Sequence, residues 1–566
     1  MKELKIFCKN TQQYIECEKG VKLSSLLGKI KLTLEGDPLV ALVDNKLKSL
    51  DYQIYNPHDV EFIDIFHMDG RRTYIRTLSF VLQKAVKELY PHHKLSLDYS
   101  LPSGLYGEIR EIEENSNSIF APKLLSEMDL NLIKKRMEKI IASDIPFEVK
   151  KISNREAQEI FINNNQPEKA KIVETSHKNY VSVYYLDGYP DTFYGPLMPS
   201  TGYIKVWDLK SYYNGFCLQA TDMNDPTKTP MMIAQQKISD VFKENSDWCQ
   251  IMDVDGLGTL NNVVREGNIV SLIQIVEALH EKKYAEIAKE IYARRDRVKV
   301  ILISGPSSSG KTTTSKRITL HTKVLGLNPR VIELDNYFVN REKTPKDENG
   351  EYDFESLYAL DLDLFNEQIN QLLEGQSVEL PRFDFVKGDR VYEGNVISLG
   401  EKDILIIEGI HALNPLLTDR IPEESKFKIY VSALTSLSLD ENNNISTSDN
   451  RMMRRMVRDN QFRGIKPENT INMWPSVRRG EVKNIFPFQE NADIVFNSSL
   501  LYELPLLKYY AEPLLRRIPI TSEAYPDAIR LLKFLSLVEA MSPQEIAAIP
   551  PTSIIKEFIG GSSFTY

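Results

Sequence analysis

Cysteine, tryptophan and long apolar runs are all scarce in this sequence. Only 4 cysteines occur among its 566 residues, at Cys8, Cys17, Cys217 and Cys249, and no two of them form a C-x-x-C pair. That spacing excludes a zinc ribbon, a redox dithiol and a disulfide framework, and leaves incidental or buried thiols. No stretch of about 18 apolar residues is present, and the opening MKELKIFCKNTQQYIECEKG has no apolar core segment. Neither a spanning helix nor a secretory signal is therefore expected, and the chain reads as cytoplasmic. Positive charge is in slight deficit as well: 70 Lys and Arg against 79 Asp and Glu give −9, which argues against nonspecific coating of nucleic acid. With 42% hydrophobic and 26% charged residues the chain is neither disordered nor fibrous. At roughly 100–200 residues per domain it divides into about three to five globular units.

Residues 1–66 alternate short apolar segments with turn signals such as Asp44-Asn45 and Asn56-Pro57, which suits a small strand-helix-strand roll. The phrases GVKLSSLL and ALVDNKLKSLDYQI resemble the TGS domain, the ubiquitin-like β-grasp module at the start of threonyl-tRNA synthetases. The resemblance implies a docking or regulatory role; a plain β-grasp interaction domain is the other reading. Residues 67–225 mix helix and strand, beginning with the amphipathic LSFVLQKAVKELYP at 78–91. The segments KELYP, LDYSLPSGLYGEI and VSVYYLDGYPDTFYGPLMPSTGYIKVWDL resemble the second amino-terminal domain of the same synthetases. There an H-x-x-x-H pair and a later Cys and His line the site that hydrolyses mischarged tRNA. The matching positions here are Arg76, Phe80, Phe193 and Leu197, none a metal ligand or general base of the required kind, so the editing chemistry is expected to be absent. A ligand-sensing or RNA-contacting shell and a structural, dimerising module both stay open for what is left.

Residues 226–295 read as a helical connector, above all the run at 269–296, with His280 expected at a surface or capping position. From 296 to 500 short apolar strands alternate with helices, the pattern of a parallel α/β sheet. DENNNISTSDN, at 440–450, reads as a flexible loop, and 501–566 as a helical extension with no legible role.

The strongest signal is Gly305-Pro306-Ser307-Ser308-Ser309-Gly310-Lys311-Thr312-Thr313, which fits G-x-x-x-x-G-K-[ST] at every fixed position. The apolar strand VKVILIS precedes it and a helix-forming segment follows, as a Walker A phosphate loop requires. Its backbone N–H groups would cradle phosphate at a helix N-terminus, Lys311 would reach the β- and γ-phosphates, and the Thr312 hydroxyl would ligate Mg²⁺. The next strand, in RVIELDNYF, ends at Asp335, where an α/β sheet builds its crevice and a carboxylate can take a hydroxyl proton. DILIIEGIHAL ends in Glu408, placed to hold Mg²⁺ directly or through water. Later, Arg451, Arg454, Arg455 and Arg458 fall within one ~100° arc of a helix whose other side carries Met452, Met453, Met456 and Val457. That helix reads as one packing face and one cationic face, suited to a lid over transferring phosphates.

Over about 295–500 the phrases GPSSSGKTTTSKR, LDNYF, YDFESLYALD, LPRFDF, ILIIEGIHAL, DNRMMRRMVRDNQFRG and NADIVFNS follow one another in the order of the uridine kinase and phosphoribulokinase family of P-loop kinases, which the chain resembles in its uridine-cytidine kinase branch. The implied fold is a doubly wound parallel sheet of the P-loop NTPase type, preceded by the β-grasp and α+β units. The implied activity is ATP- and Mg²⁺-dependent phosphorylation of a nucleoside 5′-hydroxyl, with Asp335 as base. Tyr337, Phe354, Glu355, Phe383 and Arg390 would then line the nucleoside site, and Arg451 with Arg454 or Arg455 would contact ribose and phosphates. Oligomers are common in the family. Two departures concern the base: the family's P-x-Y-D-F-x-x-H-x-R has Phe383 for its Tyr and Gly388 for its His. A third, Ile465, removes the last cation of an R-G-R that here begins Arg463-Gly464. Two groups that would hydrogen-bond a pyrimidine are missing, so the nucleobase does not follow. A kinase for another nucleoside or a sugar phosphate, and an RNA-responsive regulator that uses ATP as a switch, are the alternatives.

Overall fold

The computed structural model describes residues 3–111, 125–254, 256–346, 350, 352–384, 386–435 and 437–566. Phe385, within the LPRFDF phrase, lies outside them. At the amino end a five-stranded sheet runs in the order Gln13–Glu18, Glu3–Cys8, Asp59–Ile63, Val40–Val43, Lys46–Ser49. Glu3–Cys8 pairs parallel with Asp59–Ile63. Leu23 and Leu26 of the short helix drop onto this sheet beside Ile6, Val60 and Phe62, which is the roll the turn signals imply. All four cysteines are free and buried, as their spacing suggests.

The amphipathic segment at 78–91 is the second half of a longer helix, Met68–Leu89, opened by the His67 ring accepting from Asp69 N–H. It packs against a four-stranded antiparallel sheet made by Asp208–Tyr212, Gly215–Gln219, Gly104–Glu111 and His93–Leu101. Phe80 and Phe193 meet with ring centroids 5.1 Å apart, Leu197 is buried, and the Arg76 guanidinium donates to the Pro196 carbonyl at 2.8 Å. The four editing-like positions thus converge, as a packed aromatic cluster capped by one cation.

Helices Gln236–Ile251, Leu257–Arg265 and Ile269–Ala293 form the connector. His280 is a correction to the sequence reading. It is 6% exposed, its ring lies 5.3 Å from that of Phe496, and burial lowers it to about 4. His280 lies on the buried face of this helix, with Val276, Tyr284 and Ile287, while Gln274, Ile275 and Ala278 face the solvent.

Five parallel strands follow in the order Asn328–Glu333, Asp403–Glu408, Val300–Ser304, Lys426–Ser432, Ile494–Asn497. The central strand is buried along its whole length, which explains its continuous apolar run. One core joins this sheet to the connector through Ile273 and Val276 and to the carboxyl-terminal helices through Leu506, Leu531 and Phe558. The expected flexible loop at 440–450 is a second correction: Asp440, Glu441 and Asn442 are buried, and helix Thr447–Phe462 already begins inside it. Asp440 lies 3.7 Å from the buried Lys169 ammonium, and Glu441 accepts from the Glu168 N–H at 2.6 Å. A polar segment has become an internal joint because its carboxylates have partners on the synthetase-like unit.

Candidate active site

The loop between Val300–Ser304 and helix Lys311–Val324 has the geometry its glycines predict. A Cβ on Gly305 would come within 1.9 Å of the Val431 carbonyl, and Gly310, at φ +87°, caps the helix in the left-handed region. Ser308 also has positive φ, at 58°. The amides of the first helical turn therefore face an anion site with no side chain of the loop in the way.

Three acids gather at the carboxyl ends of two neighbouring strands. Glu333 and Glu408 are in register across the parallel pair, and Asp335 follows in the 3-10 turn Leu334–Tyr337. The Thr312 hydroxyl donates to Glu408 Oε1 at 3.0 Å, while Glu408 Oε2 is buried without a partner. Burial raises the Glu408 carboxyl to about 7; Lys311 pulls it down, and Asp335 and Glu333 push it up. Asp335 is open to solvent but walled in by protein, and burial raises it too, against the charges of Lys311, Arg463 and Arg458. A carboxylate with one oxygen unsatisfied beside a hydroxyl is a donor set that suits a hard divalent cation sharing its sphere with phosphate. No cluster of three or more His, Cys, Asp and Glu forms a self-sufficient metal cage among the described residues.

Glu355 joins this group. One of its oxygens is buried without a partner, and burial raises it to about 7, opposed first by the charge of Arg455. Phe354 is 49% exposed, and its ring lies 6.1 Å from that of Tyr352. Phe383 is buried against Phe338 at 5.7 Å, and Arg390, its partner across the hairpin, pairs with Asp361 at 2.8 Å. At Gly388 a Cβ would lie 3.1 Å from that of Arg341, whose N–H bonds the Gly388 carbonyl. A cation thus borders the position where the family's histidine would sit.

Tyr337 does not face the crevice. It is 1% exposed, its hydroxyl donates to Gln368 at 2.8 Å, and its ring packs edge-on to Phe365. Arg451 and Arg454 also depart from the cationic face expected of them. Both are fully buried, Arg451 paired with Glu481 and Arg454 with Glu503. Arg451 further donates to the Ser307 carbonyl at 2.9 Å and Arg454 to that of Ser498 at 2.9 Å. Burying a guanidinium without a carboxylate would cost several kcal/mol, so pairing replaces exposure. Arg455 and Arg458 stay nearer the solvent, share Asp459, and Arg455 reaches the Ser307 hydroxyl at 3.0 Å. The helix is docked on the phosphate loop.

Four residues at the site escaped the sequence reading. Glu333 was legible as another acid on a strand end; Glu481, Glu503 and Arg341 are brought in only by tertiary packing. A cavity of about 530 Å³ lined by Leu413, Thr418, Arg420 and Lys426, among others, contains none of the phosphate-loop residues.

Residues 300–501 match the model of the phosphoribulokinase/uridine kinase family. A uridine kinase of Staphylococcus aureus (strain JH9) is 31% identical over 198 residues, 35% of this chain and 86% of that one. A threonine–tRNA ligase of Clostridium kluyveri is 30% identical over 209 residues, 37% of this chain. The chain spans about a third (31%) of that ligase's length. The structure of a possible uridine kinase from Bacillus stearothermophilus is 18% identical and covers 37% of this chain and 100% of its own, with a TM-score of 0.25. The phosphate loop, the acids at the strand ends and a uridine kinase matched over most of its length agree: this chain belongs to the phosphoribulokinase/uridine kinase family.

Proposed function

We propose that the chain is a kinase that transfers the γ-phosphoryl group of ATP, with Mg²⁺, to the 5′-hydroxyl of a nucleoside, uridine being the family's ordinary acceptor. The observation that carries this is the meeting of Thr312, Glu408 and Asp335 at the mouth of the phosphate loop, on the carboxyl edge of a parallel sheet. In this reading the loop amides and Lys311 hold the phosphates, and Thr312 and Glu408 would hold Mg²⁺, which when bound would supply charge neutralisation for the transferred group. Asp335 accepts the hydroxyl proton, and Lys311, Arg458 and Arg463 favour its ionised form. Glu355 binds acceptor hydroxyls, and Arg455 stabilises charge on the phosphates.

Asp335→Asn tests the assignment. Removing the base should lower single-turnover transfer by about a thousandfold while ATP affinity stays within twofold. Transfer that survives within tenfold would remove Asp335 from that role.

A second reading, a sugar phosphate as acceptor, is favoured by Arg341 beside Gly388 and by the closeness of Arg458 and Arg463 to Asp335. These cations would match an acceptor that already carries a phosphate. RNA contact through the synthetase-like units has no comparable observation behind it.

A further inference from the structure

Beyond the last strand of the sheet the chain returns to the phosphate loop. Glu557 Oε2 accepts from the Thr313 N–H at 3.2 Å and from the Thr313 hydroxyl at 2.6 Å. The Tyr566 hydroxyl lies 2.9 Å from that same Thr313 oxygen. Around this contact, Arg317 donates to the Thr552 carbonyl at 2.8 Å, and the Arg454 guanidinium lies 5.1 Å from the centre of the Phe558 ring. A Cβ on Gly310 would come within 2.5 Å of Ile554. Thr313 is left with no exposed surface.

Gly310 offers no side chain to satisfy the first amides of its helix, and in a phosphate loop those amides are what hold an anion. A carboxylate seated on the third residue of the helix is such an anion, supplied by the chain itself. Lys311 and Thr312, on the β- and γ-phosphate side, keep access to solvent. The covered part is therefore the end that meets the phosphate nearer the nucleoside. Two anions cannot share one N–H and one hydroxyl in a half-dry site without strong repulsion.

We propose that residues 552–566 are a displaceable latch on the nucleotide site: the Glu557 carboxylate occupies the place that an ATP or ADP phosphate takes at Thr313, and Tyr566 steadies it. This rests on reading the loop as a nucleotide site. Gly560 and Gly561, both at positive φ, follow the short helix and turn the last residues back so that the Tyr566 hydroxyl reaches Thr313. The segment lies beyond residue 501, where the match to the family model ends. If the latched form outnumbers the open one by about ten to one, apparent nucleotide affinity is weakened by about tenfold.

The test is equilibrium binding of ADP, ATP and adenosine to the full chain, read by displacement of a fluorescent methylanthraniloyl-ADP, with Lys311→Ala as the control for binding at the loop. Glu557→Gln should tighten ADP and ATP by about tenfold and leave adenosine, which has no phosphate, unchanged. Hydrogen exchange in 552–566 of the unaltered protein should speed up when ADP is added, a readout that holds even if the variant folds poorly. Equal or weaker ADP binding by Glu557→Gln overturns the latch, as does exchange that slows or stays the same. Equal tightening of adenosine moves the clash off the phosphate and overturns the role of Glu557. Loss of all Lys311-dependent ADP binding, in the unaltered protein and in Glu557→Gln alike, overturns the nucleotide site itself and the latch with it.

Discussion

Burial raises the Glu408 carboxyl to about 7, well above the usual carboxylate range, whereas the Mg²⁺-holding role proposed for it requires the ionised form. The cost shows in stability. Below about pH 4.5 the group is protonated folded and unfolded alike, and it contributes nothing to the balance. As pH rises towards 7 the unfolded chain ionises freely while the folded chain keeps its proton, so the folded state loses stability across that window. Glu408→Gln should therefore stabilise the kinase unit at pH 8 by about 1–3 kcal/mol and change little at pH 4.5, as read by urea unfolding, while Mg²⁺-dependent transfer is lost. Asp335 and Thr312 were legible in the sequence because strict spacing ties them to a strand end and a helix start. Tyr337 was not, although it stands only two residues from Asp335. In a 3-10 turn, residues three apart eclipse, so Tyr337 follows Leu334 into the core while Asp335 faces out.

Helix Thr447–Phe462 shows what a helical arc does and does not reveal. The sequence sets four arginines on one side and methionines on the other, and Arg451 and Arg454 turn out to be packed as fully as the methionines. The counter-charges come from elsewhere: Glu481 lies 30 residues on from Arg451, and Glu503 lies 49 on from Arg454. No local pattern links them. Removing one partner of a buried pair strands the other charge, so Glu503→Ala should destabilise the unfolding transition that contains the sheet by about 3–5 kcal/mol. Replacing both, as Arg454→Met with Glu503→Leu, should recover most of that loss. If Glu503→Ala is silent, Arg454 is solvated and the helix is a free lid after all. The strands Val300–Ser304, Asn328–Glu333 and Asp403–Glu408 and the phosphate-loop helix, by contrast, were readable to within a residue or two, because a buried parallel strand has to be apolar and a phosphate loop fixes both of its neighbours, whereas Lys426–Ser432 was not singled out.

At the scale of the whole molecule, the synthetase-like and kinase units meet through charge. Lys169, fully buried, lies 2.8 Å from Asp191 of its own unit and 3.7 Å from Asp440, in the segment that leads into the arginine helix. Lys169→Met should leave these acids uncompensated, lowering stability by about 3–5 kcal/mol at pH 8 and by less at pH 5, because burial raises the Asp191 carboxyl and favours its neutral form. Equal losses at both pH values would mean that the joint is held by packing. Arg72 with Asp527 at 3.1 Å and Asn45 with the Ile520 carbonyl at 2.8 Å tie the carboxyl-terminal extension to the amino-terminal units as well. None of this was visible in the sequence, where the two halves look like independent modules, because contacts between distant segments have no period. The measurement that tests the account most directly is acceptor-dependent conversion of ATP to ADP by the full chain, with Mg²⁺, across ribonucleosides, deoxyribonucleosides and ribose phosphates, with each product weighed by mass spectrometry. The account predicts a 5′-monophosphate from one or a few nucleosides, formed one for one with ADP. Bound ATP with no acceptor-dependent turnover across the whole panel would contradict it.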